Sequence, residues 1–163
     1  ALAASGELRA RAAEAQAQQA QAFLGPQAGF GVVRSERQWR EELGMAAYSV
    51  LRGRTTEPPN SSQLVSAFPE AGHFACRGCG LPLYPARSKV ASDSGWPAFA
   101  WCYHSEEEGC HVGVRRGRRP LTDLDELHGA SANWELYCAR CNGHLGHVYF
   151  DAVSQENPNG ERH

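Results

Sequence analysis

The sequence predicts a mainly β domain with a helical front end and a metal clamp, and three observations predict it. From about Phe74 onward, short apolar runs are cut repeatedly by Gly, Pro and Asp. Two Cys-x-x-Cys pairs, CRGC and CARC, stand with 58 residues (80–137) between them. Helical periodicity is confined to the part of the chain before Phe74.

In chain order, residues 5–24 are rich in Ala, Gln, Glu and Arg, strong helix formers, and Gly25-Pro26 closes the segment. Its large apolar residues are few (Leu8, Phe23, Leu24), so this helix is either a solvated arm or a docking element. Residues 27–34 read as a linker. A second helix starts at Ser35, where the Ser35 hydroxyl and the Gln38 amide three residues on form a capping box. Trp39, Leu43, Tyr48 and Leu51 put one face of that helix on a core. Candidate strands follow at His73–Cys76, Lys89–Ser92, His111–Val114, Trp134–Cys138 and His147–Asp151, giving an antiparallel sandwich-like or barrel-like domain.

Length and composition set outer bounds. The 163 residues fit one domain plus extra length, and 42% hydrophobic content supports a modest core. A net charge of −2 gives no support for nucleic-acid binding. No segment approaches the roughly 18 apolar residues of a membrane span. The chain begins at Ala1 rather than Met, which is consistent with processing after import, so a chloroplast or mitochondrion is the expected location and the cytoplasm the alternative.

Four of the six cysteines fall in the two pairs, which points to metal before disulfide. A tight turn at each pair aims two sulfurs at one ion, and Gly80 and Gly143 supply backbone freedom beyond each pair. Four thiolates suit one structural Zn²⁺ held by Cys76, Cys79, Cys138 and Cys141, with iron as the competing metal. Such an ion clamps two distant hairpins. Cys102 and Cys110 are either a resolving pair or two free, partly buried thiols.

Three further strings narrow the reading: SGWPAF (Ser94–Phe99), HLGHVYFD (His144–Asp151) and GERH (Gly160–His163). With the two cysteine pairs they closely resemble the zinc-containing methionine-R-sulfoxide reductases of the B type. The run Ser35–Pro58 also resembles that family's leading helix and Thr-Glu-x-Pro turn. The resemblance covers residues 35–163 and leaves 1–34 as a helical extension and linker. It implies two small antiparallel sheets and a thiol or selenol that attacks the sulfoxide sulfur, becoming a sulfenic or selenenic acid.

The resemblance also implies roles. His144 and His147 polarise the substrate and donate a proton, a task histidine suits near neutral pH. Read from spacing alone, they are equally surface groups beside a metal turn. Trp96, its backbone restricted by Pro97, offers an indole face to the substrate methyl, and Phe99 is a pocket wall. Each is otherwise a plain core aromatic. Arg162 lowers the pKa of the nucleophile two residues on. Implied partners are oxidised methionine in proteins and a thioredoxin-like reductant.

In the family the nucleophilic Cys or selenocysteine comes immediately after the position of His163. Activity therefore requires such a residue next in the chain; three accounts stand open. The chain continues past His163, a selenocysteine codon was read as a stop, or this is a paralogue without the nucleophile. On the last account it is a catalytically silent binding or scaffold subunit, docked through residues 1–34. Two local departures are notable. Asn133-Trp134-Glu135 stands where the family has Arg-x-Glu, leaving a buried arginine in question. Arg115, Arg116, Arg118 and Arg119 form a basic cluster that reads as a solvated turn, or else as a grip on an acidic partner.

Overall fold

The computed structural model describes residues 31–107, 109–116, 134–149 and 163. The expected helix over 5–24, Arg118, Arg119 and Arg162 lie outside the described residues. The described part is mainly antiparallel β with one α-helix, as the sequence predicts.

Helix α1 (Glu36–Leu51) begins where the capping box places it. The Ser35 hydroxyl accepts from the Gln38 amide (3.3 Å), and Gln38 Oε1 accepts from the Ser35 amide (2.9 Å). Gly44 leaves helical geometry with φ 72°, so the helix is broken there. The break absorbs the irregular step of five residues between Leu43 and Tyr48, where an unbroken helix would keep steps of three or four. Trp39 and Leu43 are buried, and Tyr48 and Leu51 pack against the same core.

The expected linker is docked over its described part. The Val32 amide donates to the Arg140 carbonyl (3.0 Å), and the Arg34 guanidinium stacks 4.7 Å from the Trp39 ring centre. Arg140 lies inside the second cysteine pair, so residues 32–34 belong to the cover of the cysteine turns.

Nine short strands follow among the described residues: β1 (His73–Ala75), β2 (Pro82–Pro85), β3 (Lys89–Val90), β4 (Ala98–Phe99), β5 (His104–Ser105), β6 (Gly109–Cys110), β7 (Val112–Arg116), β8 (Trp134–Cys138) and β9 (His144–His147). They pair antiparallel as β1–β2, β3–β4, β5–β6 and β7–β8–β9. Of the last expected strand, His147–Asp151, Phe150 and Asp151 lie outside the described residues; the strand described there, His144–His147, starts earlier because HLGH pairs with β8 directly after the cysteine turn.

Alternation along β8 decides which face is core. Trp134, Leu136 and Cys138 point one way and join Val112 and Val148 in the apolar cluster. Glu135 and Tyr137 point the other way, with Arg115 opposite Glu135 and Gly113 opposite Tyr137. One glycine elsewhere is required by close approach. Gly95, at φ 88°, lies where a Cβ would come within 2.7 Å of the Pro59 side chain. Its carbonyl accepts from the Asn60 amide (2.7 Å), clasping the SGWP turn onto the 57–60 segment.

Trp39 is 2% exposed and wedges α1 against the first cysteine turn, its ring 3.5 Å from the point where a side chain at Gly78 would begin. Trp39→Ala is expected to lower the free energy of urea unfolding by about 3–5 kcal/mol. A change under about 1 kcal/mol would mean that the helix is not part of the core.

Candidate functional site

The two cysteine pairs build matching turns. In the first, the Cys76 amide donates to the Leu81 carbonyl (2.8 Å) and the Gly80 amide to the Cys76 carbonyl (2.8 Å). In the second, the Cys138 amide donates to Gly143 (2.9 Å) and the Asn142 amide to Cys138 (2.9 Å). The left-handed residue of each turn therefore falls at the same place, Gly80 (φ 72°) and Asn142 (φ 60°). Gly80 plays the part expected of it; in the second turn Asn142 takes that conformation and not Gly143. Asparagine is among the few non-glycine residues that tolerate it.

The four sulfurs converge, all within 4.8 Å of one another. Cys76 and Cys141 lie 3.7 Å apart and Cys79 and Cys138 3.6 Å, against an edge of about 3.8 Å for a tetrahedron with metal–sulfur bonds of about 2.3 Å. The donor set and its size fit a closed tetrathiolate metal site. Hydrogen bonds from the Cys138 and Cys141 thiols hold the Cys76 thiol down to about 2, while Cys141 and Cys76 push Cys138 upward. One thiolate is welcome in the cage and further ones repel it, so all four ionise only around a cation. Leu51, Trp39 and the Arg52 guanidinium, which donates to the Cys141 carbonyl (3.1 Å), close the outside.

His144 and His147 come together by a bulge. Tyr137 pairs with His144, Leu136 with Gly146 and Glu135 with His147, so Leu145 is an extra residue in β9. In a regular strand residues three apart face opposite sides. The extra residue brings both imidazoles to one face, ring centres 5.5 Å apart and edge to face.

Glu135 organises that face. It is 2% exposed, and its Oε1 accepts from His144 Nδ1 (2.8 Å). Arg115 grips it with two parallel bonds, Nε to Oε2 and Nη2 to Oε1, each 3.1 Å. Arg54, left-handed at φ 60° just beyond α1, adds Nη1 to Oε2 at 3.2 Å. Burial alone would raise the Glu135 carboxyl; the Arg115 guanidinium, the His144 ring and Arg54 outweigh it and hold the group below its usual range. An ionised carboxylate only accepts, so Nδ1 of His144 carries the proton and Nε2 is the atom left for other chemistry.

The arginine question raised by Asn133 is thus answered from elsewhere: Arg54 and Arg115 supply the charge that faces Glu135. Arg115 is a correction to the solvated-turn reading. It and Arg116 lie in β7, with Arg115 stacked 4.4 Å from the Tyr137 ring centre and Arg116 5.4 Å from that of Trp134. The available signal was a lone Glu at the outward phase of a strand-like run, which needs a cation from another strand.

The remaining site residues cluster around β4. Trp96 is 36% exposed, its indole N–H donating to the Glu57 carbonyl (2.9 Å). Phe99 is buried, stacked on Tyr84 at 4.2 Å and edge-on to Phe74 at 4.9 Å. His163 exchanges both backbone hydrogen bonds with Phe99, at 2.8 and 3.1 Å. Cys102 and Cys110 are half-buried and not joined in a disulfide.

Because the folded Glu135 carboxyl sits below its unfolded value of about 4.3, it contributes stability that is present above that pH and lost as pH falls through the folded value. Urea unfolding of the wild type is expected to weaken from about pH 6 to pH 3 more steeply than that of Glu135→Gln. Parallel curves would show that the carboxylate is no better held in the fold than out of it.

The comparisons with known proteins agree with this geometry. The family model described as the SelR domain matches residues 43–163. A peptide methionine sulfoxide reductase MsrB of Bradyrhizobium diazoefficiens is 38% identical over 120 residues, covering 74% of this chain and 76% of that protein. Peptide methionine sulfoxide reductase B5 of Arabidopsis thaliana is 36% identical over 132 residues, 81% of this chain and 82% of its own. The human methionine-R-sulfoxide reductase B2, mitochondrial, is 34% identical over 129 residues, 78% of this chain and 65% of its own. With its four-sulfur cage and its paired histidines on a bulged strand, this chain belongs to the SelR family of B-type methionine sulfoxide reductases.

Proposed function

We propose that this protein reduces methionine-R-sulfoxide in oxidised proteins, with one structural Zn²⁺ in the Cys76/Cys79/Cys138/Cys141 cage. The observation that carries the reading is the backbone pairing of His163 with Phe99. Antiparallel pairing sends the chain past His163 along β4 toward Ala98 and the Trp96 turn. A Cys or selenocysteine following His163 would therefore stand beside the SGWPAF motif.

In that arrangement the thiolate or selenolate attacks the sulfoxide sulfur while the sulfoxide oxygen takes a proton, and the oxygen then passes to the nucleophile as the transient bond between nucleophile and substrate sulfur breaks. The S–O bond of the substrate breaks and a bond from oxygen to the nucleophile's sulfur or selenium forms. The products are methionine and a sulfenic or selenenic acid. His144 and His147 deliver the proton that the departing oxygen needs, His144 through Nε2, the atom not held by Glu135. Arg162 lowers the pKa of the nucleophile. The exposed Trp96 face receives the substrate methyl, while Phe99, stacked in the core, backs the wall through its strand. A thioredoxin-like dithiol then reduces the sulfenic acid to thiol, releasing water and becoming a disulfide. A zinc ion held by Cys76, Cys79, Cys138 and Cys141 would supply no step of the reaction and would fix the turn from which β9 departs. An organelle is the proposed location, in keeping with the chloroplastic and mitochondrial relatives.

The test starts from the native protein. Mass spectrometry reads the residue following His163, and turnover is measured with each sulfoxide epimer and a dithiol. The expected outcome is Cys or selenocysteine at that position, reduction of the R epimer alone, and loss of about two or more orders of magnitude in rate for His147→Gln. A zinc-loaded protein with the nucleophile verified and no R-epimer turnover would overturn the reading.

A further inference from the structure

We propose that Arg115 is a positioning residue that couples the second cysteine turn to the ring of His144. Its guanidinium uses three nitrogens at once. Nε and Nη2 hold both oxygens of Glu135, each at 3.1 Å, and Nη1 donates to Asn142 Oδ1 at 2.6 Å. Asn142 adjoins the metal-cage residue Cys141 and is held in the left-handed conformation by the turn itself. Glu135 in turn holds His144 Nδ1 at 2.8 Å. One planar fork thus spans from the cage to the imidazole, with its face packed on Tyr137.

The geometry explains why the residue is arginine. A lysine ammonium can reach one carboxylate oxygen or the Asn142 amide, but cannot present three coplanar donors. Arg54 also donates to Glu135, through Nη1 to Oε2 at 3.2 Å. It leaves Glu135 with a cationic partner if Arg115 is lost, so the fold need not collapse with the coupling. The functional value of the coupling rests on the reading of His144 as a participant in sulfoxide reduction. Its physical content does not, because it concerns which ring nitrogen carries the proton.

The experiment is ¹⁵N NMR of ring-labelled histidines in the zinc-loaded full-length protein, at a pH where the His144 ring is neutral. The wild-type ring is expected almost wholly as the Nδ1–H form. In Arg115→Gln that form falls to about half as the carboxylate loses its fixed plane, and Arg115→Lys does not restore it. Asn142→Gly keeps the backbone conformation and removes the Oδ1 acceptor, and is expected to shift the same population part of the way. A His144 spectrum that overlays the wild type in either Arg115→Gln or Asn142→Gly overturns the proposal. Should Arg115→Gln not fold, Asn142→Gly alone decides it. A protein that shows the tautomer shift and no turnover would keep this inference while losing the proposed function.

Discussion

Four sulfurs from two distant turns hold the rest of this structure in place. Cys76 and Cys79 come from the turn between β1 and β2, Cys138 and Cys141 from the turn between β8 and β9. Among the described residues no long ladder joins these two parts; strands of two to five residues do not supply one. The cage does that work, and the same turns anchor α1 through Trp39, Leu51 and Arg52. Thiols held this close resist joint ionisation, so the cage and a cation stabilise each other.

From that anchor the chemistry of the β7–β8–β9 face follows in short steps. The second turn ends at Gly143, and β9 starts at the next residue. Its first residue, His144, is thereby set against β8, and the bulge at Leu145 turns His147 to the same side. Glu135, buried and held by Arg115 and Arg54, then fixes His144 by its Nδ1. A carboxylate at 2% exposure with no countercharge would be costly, and the two guanidiniums make it tenable. The result is an imidazole whose Nδ1 is committed to Glu135.

Much of this was legible in the sequence because its signals were local. The capping box at Ser35, the strand at Trp134–Cys138 and the two cysteine turns each depend on residues within six positions of one another. The strings SGWPAF and HLGHVYFD carried the resemblance to the family that the comparisons show. What could not be read depended on register or on contacts across the chain. The bulge at Leu145 leaves no mark in HLGH, although it decides whether the two histidines share a face. Arg115 sat in a run of arginines whose average reading is solvent, yet strand pairing set it opposite Glu135. Arg54 reaches the same carboxylate from 81 residues away, a contact that no local pattern encodes. Residues 32–34 looked like linker because their docking is to backbone carbonyls of the cysteine turns, which have no sequence signature.

The most direct test of this account is hydrogen exchange on the native protein with its metal and after removal by a chelator, with zinc content measured in parallel. The account predicts about one zinc per chain in the native form. On removal, protection should fall together in the turns at Cys76–Leu81 and Cys138–Gly143, in α1 and at the start of β9. Unchanged protection in α1 and β9 after the zinc is gone would contradict it, because the fold would then stand without its clamp.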